Sequence, residues 1–253
     1  DGSVRLLYSG TATDTTSGYI GTSAFNSTYS DSMYVGYMYG TSGSQANNRL
    51  NTNNSTIKRV IDTWYSNNLS SYAKYLSTEA VYCNDRKAPD YGSGGFNYYV
   101  YTRLNAGNPT YDCEDTKDAF SVSNSEAKLT YPIGLMTADE ITYAGGYKYT
   151  SLTSPYAWYY LNSAGGSITG STYWWLLSPK AWDGDAYVWI VYGSGHPGYL
   201  SNCSAGGSHD PGGNVLDSGG VRPAISLKTC ALWTSGNGAP ETPYEISTTS
   251  GCW

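Results

Sequence analysis

The sequence predicts an α+β fold: a single domain of short antiparallel sheets, two main helices and long loops. Three observations point there. Apolar runs are brief and bounded by Gly, Asn, Ser and Pro. Only two segments combine helical periodicity with a cap. No linker-like stretch or internal repeat divides the 253 residues, a length that can bury one substantial core. Residues 1–76 read as N-terminal strands and a first helix, 77–230 as the core of the domain, and 231–253 as a C-terminal extension.

Val4-Arg-Leu-Leu-Tyr8 reads as the first strand. Tyr34-Val-Gly-Tyr-Met-Tyr39 reads as the second, because alternating aromatic and small residues suit a pleated surface. Residues 47–54, rich in Asn, read as a loop. Ser55 then caps a helix reaching about Asn67, with Ile57, Val60, Ile61 and Trp64 at helical spacing on one face. Turn-forming residues 88–95 lead to a strand over 96–101. A strand over 131–136 enters the second helix, over 137–146. Thr137 and Glu140 match a capping box there, and Gly145-Gly146 ends it. Further strands are expected at 157–161, 173–177, 187–192 and 221–227. The polar stretch 234–253 is tied down by Cys252.

Composition narrows the function classes. There are 27 Tyr and 8 Trp but only 3 Phe and 3 Met, so most aromatic rings carry a polar tip suited to part-exposed surfaces. Charged residues make up 13 %, about half the usual share. Such a composition fits a secreted or surface protein. The net charge is −6 with no basic cluster, which argues against nucleic acid and against direct contact with an anionic membrane. No apolar run is long enough to span a bilayer. No signal peptide is visible at Asp1, and an upstream leader or anchor is expected to have been removed.

The five cysteines show no C-x-x-C pair and no zinc-like spacing to a histidine. In an oxidising compartment, proximity pairs Cys83 with Cys113 and Cys230 with Cys252, leaving Cys203 free. Each bridge would stabilise by on the order of 3 kcal/mol on the chain-entropy account. The alternative is five reduced cysteines in a cytosolic protein.

Catalytic templates find little support, and the chain reads as a non-enzyme without cofactors. Ser194-Gly-His196 lacks a Gly-x-Ser-x-Gly elbow and has small, flexible neighbours. Asp139-Glu140 falls in a helix first turn, where carboxylates favour the dipole. Asp183-Gly-Asp185 could offer oxygens to calcium, completed from a distance by Asp210 or Asp217. However, Ser194 stands where an EF-hand loop needs its twelfth, acidic residue, so no metal is assigned. Asn-x-Ser/Thr sequons at Asn26, Asn53, Asn54, Asn68 and Asn202 carry little weight in a chain this rich in Asn, Ser and Thr.

The most informative region lies between Tyr173-Trp-Trp-Leu-Leu-Ser-Pro179 and Gly220-Val-Arg-Pro-Ala-Ile-Ser-Leu-Lys228. From Asp183 to Gly220 there is no Lys, Glu, Gln or Met. The residues found are those reached when both leading bases of an asparagine codon vary freely. Trp189 departs from that set, inside the apolar strand 187–192 where a fold would keep it fixed. This order of blocks resembles the variable proteins of diversity-generating retroelements, which have a C-type-lectin fold related to formylglycine-generating enzymes. It also resembles C-terminal domains of secreted or pilin-like proteins from Gram-positive gut bacteria. Tyr82-Cys-Asn-Asp-Arg86 and the stretch from Tyr131-Pro-Ile-Gly-Leu-Met136 to Gly146 fit that second group, so the resemblance covers roughly 77–230.

The resemblance implies a C-type-lectin-like domain in which Trp174, Trp175, Trp189 and Arg222 are scaffold. Arg222 would pin the last strand through backbone carbonyls. It further implies a variable surface over 183–218, displayed at a bacterial cell surface or pilus, for an unknown protein or glycan ligand. The ligand-facing residues would be Asp183, Asp185, Tyr187, Tyr192, Ser194, His196, Tyr199, Ser201, Asn202, His209 and Asp210. Tyr amid Ser, Gly, Asn and Asp is the chemistry of a paratope. The Glu-Pro-Asn and Trp-Asn-Asp sugar motifs of calcium-dependent animal lectins are missing, and so is the oxygenase cysteine pair. Two other readings stay open: a carbohydrate-binding or carbohydrate-active protein with an aromatic groove, and a structural pilus subunit.

Overall fold

A computed structural model describes residues 2–10, 18–89, 94–148, 173–192, 199–201, 213–237 and 242–252, with backbone alone at 147–148, 192 and 199–201. In chain order the first strands are β1 (Val4–Leu7), β2 (Gly21–Ser23), β3 (Met38–Tyr39), β4 (Asn53–Asn54), β5 (Tyr82–Cys83) and β6 (Phe96–Asn97). They are followed by β7 (Ala119–Phe120), β8 (Ile133–Leu135), β9 (Tyr147–Lys148), β10 (Tyr173–Trp182), β11 (Ala186–Tyr192) and β12 (Tyr199–Ser201). Last come β13 (Gly219–Val221), β14 (Pro223–Leu227), β15 (Trp233–Ser235) and β16 (Glu245–Ile246). The helices are α1 (Gln45–Asn48), α2 (Thr56–Asn68), α3 (Tyr99–Asn105) and α4 (Ala138–Tyr143). The fold is α+β, with several short, largely antiparallel sheets.

The central sheet has seven strands in the order β2-β13-β10-β11-β12-β9, with β6 alongside β10. Its middle is apolar on both faces, and the side chains sort by the period-two rule. Tyr173, Trp175 and Leu177 of β10, with Ala186, Val188 and Ile190 of β11, enter one core beside Phe25, Ile57 and Ile61. Trp174 and Leu176, with Trp189 and Val191, enter a second core closed by Val100 and Leu104 of α3 and by Ala138 and Ile141 of α4. A three-stranded sheet, β1-β14-β8, lies alongside.

Local chemistry explains the helices that the sequence indicates. The Ser55 hydroxyl accepts from the Lys58 amide, and Ile57, Ile61 and Tyr65 bury one face of α2. Thr137 and Glu140 form the full capping box of α4. Arg222 interrupts the expected strand 221–227, so that β13 joins the central sheet while β14 joins the smaller one. The Arg222 Nε donates to the Tyr8 carbonyl at 2.6 Å, and its guanidinium lies 5.0 Å from the Trp174 ring centre.

Two expected strands are corrected. Residues 32–35 form a 3-10 turn because the Asp31 carboxylate accepts from the Met33 amide at 2.8 Å, leaving only β3 extended. The strand expected over 96–101 stops at Asn97, and α3 follows because Val100 and Leu104, one turn apart, both bury in the second core. The expected loop 47–54 also contains part of α1, capped by Ser44, and all of β4. The strand expected at 157–161 lies outside the described residues.

Both expected disulfides are present, Cys83–Cys113 and Cys230–Cys252, and they suit an oxidising compartment. Cys203 lies outside the described residues. The second bridge holds the C-terminal hairpin β15-β16 against the turn that follows β14. Among the described residues no helix is long and apolar enough to cross a membrane.

Candidate functional site

The sequence-predicted binding segment is fixed where it meets the central sheet. Strands β10 and β11 join at Asp183-Gly184-Asp185, where Gly184 takes φ 106°, a conformation open to glycine at little cost. The Asp183 amide donates to the Asp185 carbonyl at 3.2 Å, and Asp183 stands exposed. A carboxylate oxygen of Asp185 accepts from the Asn214 amide group at 3.1 Å. Asn214 bridges Tyr187, and the Val215 amide donates to the Ala186 carbonyl at 3.1 Å. The returning chain is thereby fastened beside the β10–β11 turn. At the other end, Val191 pairs with Leu200 and Ile190 with Ser201.

This register separates residues that the sequence reading groups together. Asp185 and Tyr192 sit at opposite ends of β11, roughly 20 Å apart at the rise of a strand. The chain leaves β11 at Tyr192 and enters β12 at Tyr199 at one end. It leaves β12 at Ser201, and Asn214 stands near the other end, bridged to Tyr187. Tyr187 does not belong with the ligand-facing set. Only 3 % of it is exposed, and the Lys180 ammonium lies 5.3 Å from its ring centre. Tyr192, Tyr199 and Ser201 are placed by backbone on their strands. Ser194, His196, Asn202, His209 and Asp210 lie outside the described residues. Among the described residues no group of three or more His, Cys, Asp or Glu is arranged to hold a metal ion.

A second concave region went unread in the sequence. It is a cleft of about 460 Å³ whose lining includes Ser3, Arg5, Asp85, Arg103, Tyr111 and Glu140. Arg103 grips Asp139 through two bonds, at 2.7 and 2.6 Å, and also donates to Asp85. Thr110 gives its amide to the same Asp139 carboxylate at 3.1 Å. Arg5 pairs through Nε with Glu140 at 3.1 Å, donates to the Val81 carbonyl at 2.6 Å, and lies over the Tyr82 ring. Glu140 therefore caps α4 with one oxygen and holds Arg5 with the other. The dipole reading of Asp139-Glu140 was incomplete, since both acids also orient an arginine.

The electrostatics follow from this geometry. Burial pushes the Asp85 carboxyl above its ordinary value, and Arg103 offsets this only in part. Burial pulls the Arg103 guanidinium down, but its bonds to Asp139 and Asp85 outweigh that and leave it raised. Burial lifts the Tyr82 hydroxyl to about 12, against the opposing pull of Arg5. Asp85 also takes φ 26°, an unusual conformation for a residue with a side chain, and Arg103 holds it there. A second cleft, of about 390 Å³, shares Arg5, Tyr111 and Glu140 with the first and adds Tyr143. The Cys83–Cys113 pairing was the available signal, because it draws residue 85 toward residues 110–112.

The chain matches no protein-family model, no curated protein and no solved structure.

Proposed function

We propose that this chain is a non-catalytic, C-type-lectin-like binding domain displayed at a bacterial cell surface or pilus. Its ligand is a protein or glycan, held by residues of the segment 183–218, which a retroelement diversifies. One observation carries the reading: the segment is fastened at its margins to a sheet that is buried on both faces. Trp174, Trp175 and Trp189 are fully buried and Arg222 is 1 % exposed, whereas Asp183 at the intervening turn is open to solvent. A rigid sheet with tolerant connections is the physical requirement for changing contacts without losing the fold. The two disulfides support an extracellular setting. Because Asp185 and Tyr192 end the same strand far apart, two separate contact regions are expected in place of one continuous patch.

The test is a library randomised at Asp183, Ser194, His196, Tyr199, Asn202, His209 and Asp210. Most members should remain monomeric with melting temperatures within about 4 °C of the parent, a shift of roughly 1–2 kcal/mol for this size. Binders to an arbitrary protein target should then be recoverable. General loss of folding would show these positions to be structural and sink the display reading.

A further inference from the structure

We propose that the cleft between β1, α3 and α4 is a second ligand site, separate from the segment 183–218, and that it takes a neutral oligosaccharide. The inference starts from an exposed aromatic platform. Tyr111 is 69 % exposed and Tyr143 49 %, yet the two rings stack with centres 4.3 Å apart and planes within 17°. The Tyr143 hydroxyl donates to the Pro109 carbonyl at 2.6 Å, which fixes the lower ring. Two ordered rings left in water are a surface prepared for another apolar face, since ordinary packing would bury them. A pyranose ring offers such a face, flat and lined with C–H groups.

The floor beside the platform fits the hydroxyls of the same ligand. Each sugar hydroxyl donates one hydrogen bond and accepts others, so it needs donors and acceptors side by side. Arg5 next to Glu140, and Arg103 next to Asp139 and Asp85, provide that alternation. The ion pairs hold these groups in place before any ligand arrives, which lowers the ordering cost of binding. The lining carries two arginines against five carboxylates, so sialylated, uronate or phosphorylated ligands meet net repulsion. A volume of about 460 Å³ is within the range of small-ligand pockets. The strained backbone of Asp85 lies in the same lining.

The probe is an immobilised array of neutral, sialylated and uronate-containing oligosaccharides, followed by calorimetry with the best binder. A neutral oligosaccharide should bind. Tyr111→Ala should weaken it roughly three- to tenfold, the worth of one aromatic contact, with the melting temperature lowered by a few degrees at most because only the exposed stack on Tyr143 is lost. The double variant Asp183→Ala/His209→Ala should bind it like the parent. A silent array, or a preference for anionic glycans, overturns the proposal. So does binding of a lysine-rich peptide in place of sugar, or unaltered affinity in Tyr111→Ala. Loss of glycan binding in the Asp183/His209 variant alone would move the ligand to the segment 183–218 and support that site instead.

Discussion

Gly219→Ala tests whether the glycines of β13 are required by packing against the tryptophans of β10. A Cβ at position 219 would stand 2.7 Å from the Trp175 indole nitrogen and closer still to the edge of the Tyr173 ring. Neither ring can swing away, because Trp175 is fully buried and Tyr173 packs edge-on against it at 5.3 Å. The backbone at Gly219 lies outside the left-handed region, so alanine is opposed there by crowding alone. Overpacking of this kind costs about 1–3 kcal/mol. Displacing the indole also strains its bond to the Ser23 carbonyl, 2.8 Å long and worth about 1 kcal/mol. The reduced freedom of the unfolded chain returns about 0.4–1 kcal/mol. The expected loss is about 1.5–3 kcal/mol, read as a fall in urea midpoint and in Tm of roughly 5–10 °C. Trp175→Phe removes the indole nitrogen that the Cβ would meet but leaves the Tyr173 edge, so the double variant should be more stable than the sum of the singles by about 1 kcal/mol. Strict additivity, or a cost below about 0.5 kcal/mol for Gly219→Ala, would refute the crowding argument.

Asp118→Ala should destabilise by about 3–5 kcal/mol in chemical denaturation, because it strands the 2 %-exposed guanidinium of Arg86, bonded through Nε at 2.6 Å. Reducing Cys230–Cys252, or replacing both by Ser, should speed amide exchange in the β15–β16 hairpin while leaving Trp189 and Ile190 of the central sheet protected. Burial raises the Asp62 carboxyl above its ordinary value of 3.8, with Lys58 offsetting only part of the effect. The native state therefore holds that proton at pH values where the unfolded chain has released it. Unfolding free energy should fall as pH rises from near 3.8 through the folded pKa, and level off above it. Asp62→Asn should flatten that slope, and an unchanged slope would show that other groups produce it.

The elements legible in the sequence were those fixed by neighbours a few residues away. The caps of α2 and α4 are written in Ser55, Thr137 and Glu140, and the bonds they imply are all formed. The disulfide pairing was legible because near partners close the shorter loops. Helix α3 was not, because Tyr99, Val100 and Tyr101 favour strands by type. It becomes helical by tertiary burial of Val100 and Leu104 and by the Tyr101 ring lying near Trp189. Tyr187 was misassigned for a related reason. A strand covered on both faces loses the alternation by which an outward residue is recognised. The cleft residues Arg5, Asp85, Arg103, Tyr111 and Glu140 come from separate stretches of the chain, and no local pattern joins them.

The pairing of β1 with β14 sets Val4 opposite Leu227 and Leu7 opposite Ala224, and Arg222 reaches back to Tyr8. Strand β1 thus stays without this partner until residues 223–227 have been made. Closing so long a loop adds little extra equilibrium cost, since the entropy grows only with the logarithm of length, but it makes completion slow. The same stretch fastens elsewhere too: Leu227 of β14 bridges Leu76, and the Lys228 amide donates to the Tyr75 carbonyl at 2.8 Å. Truncation anywhere before residue 227 would leave β1 without a full partner, however well the helices formed.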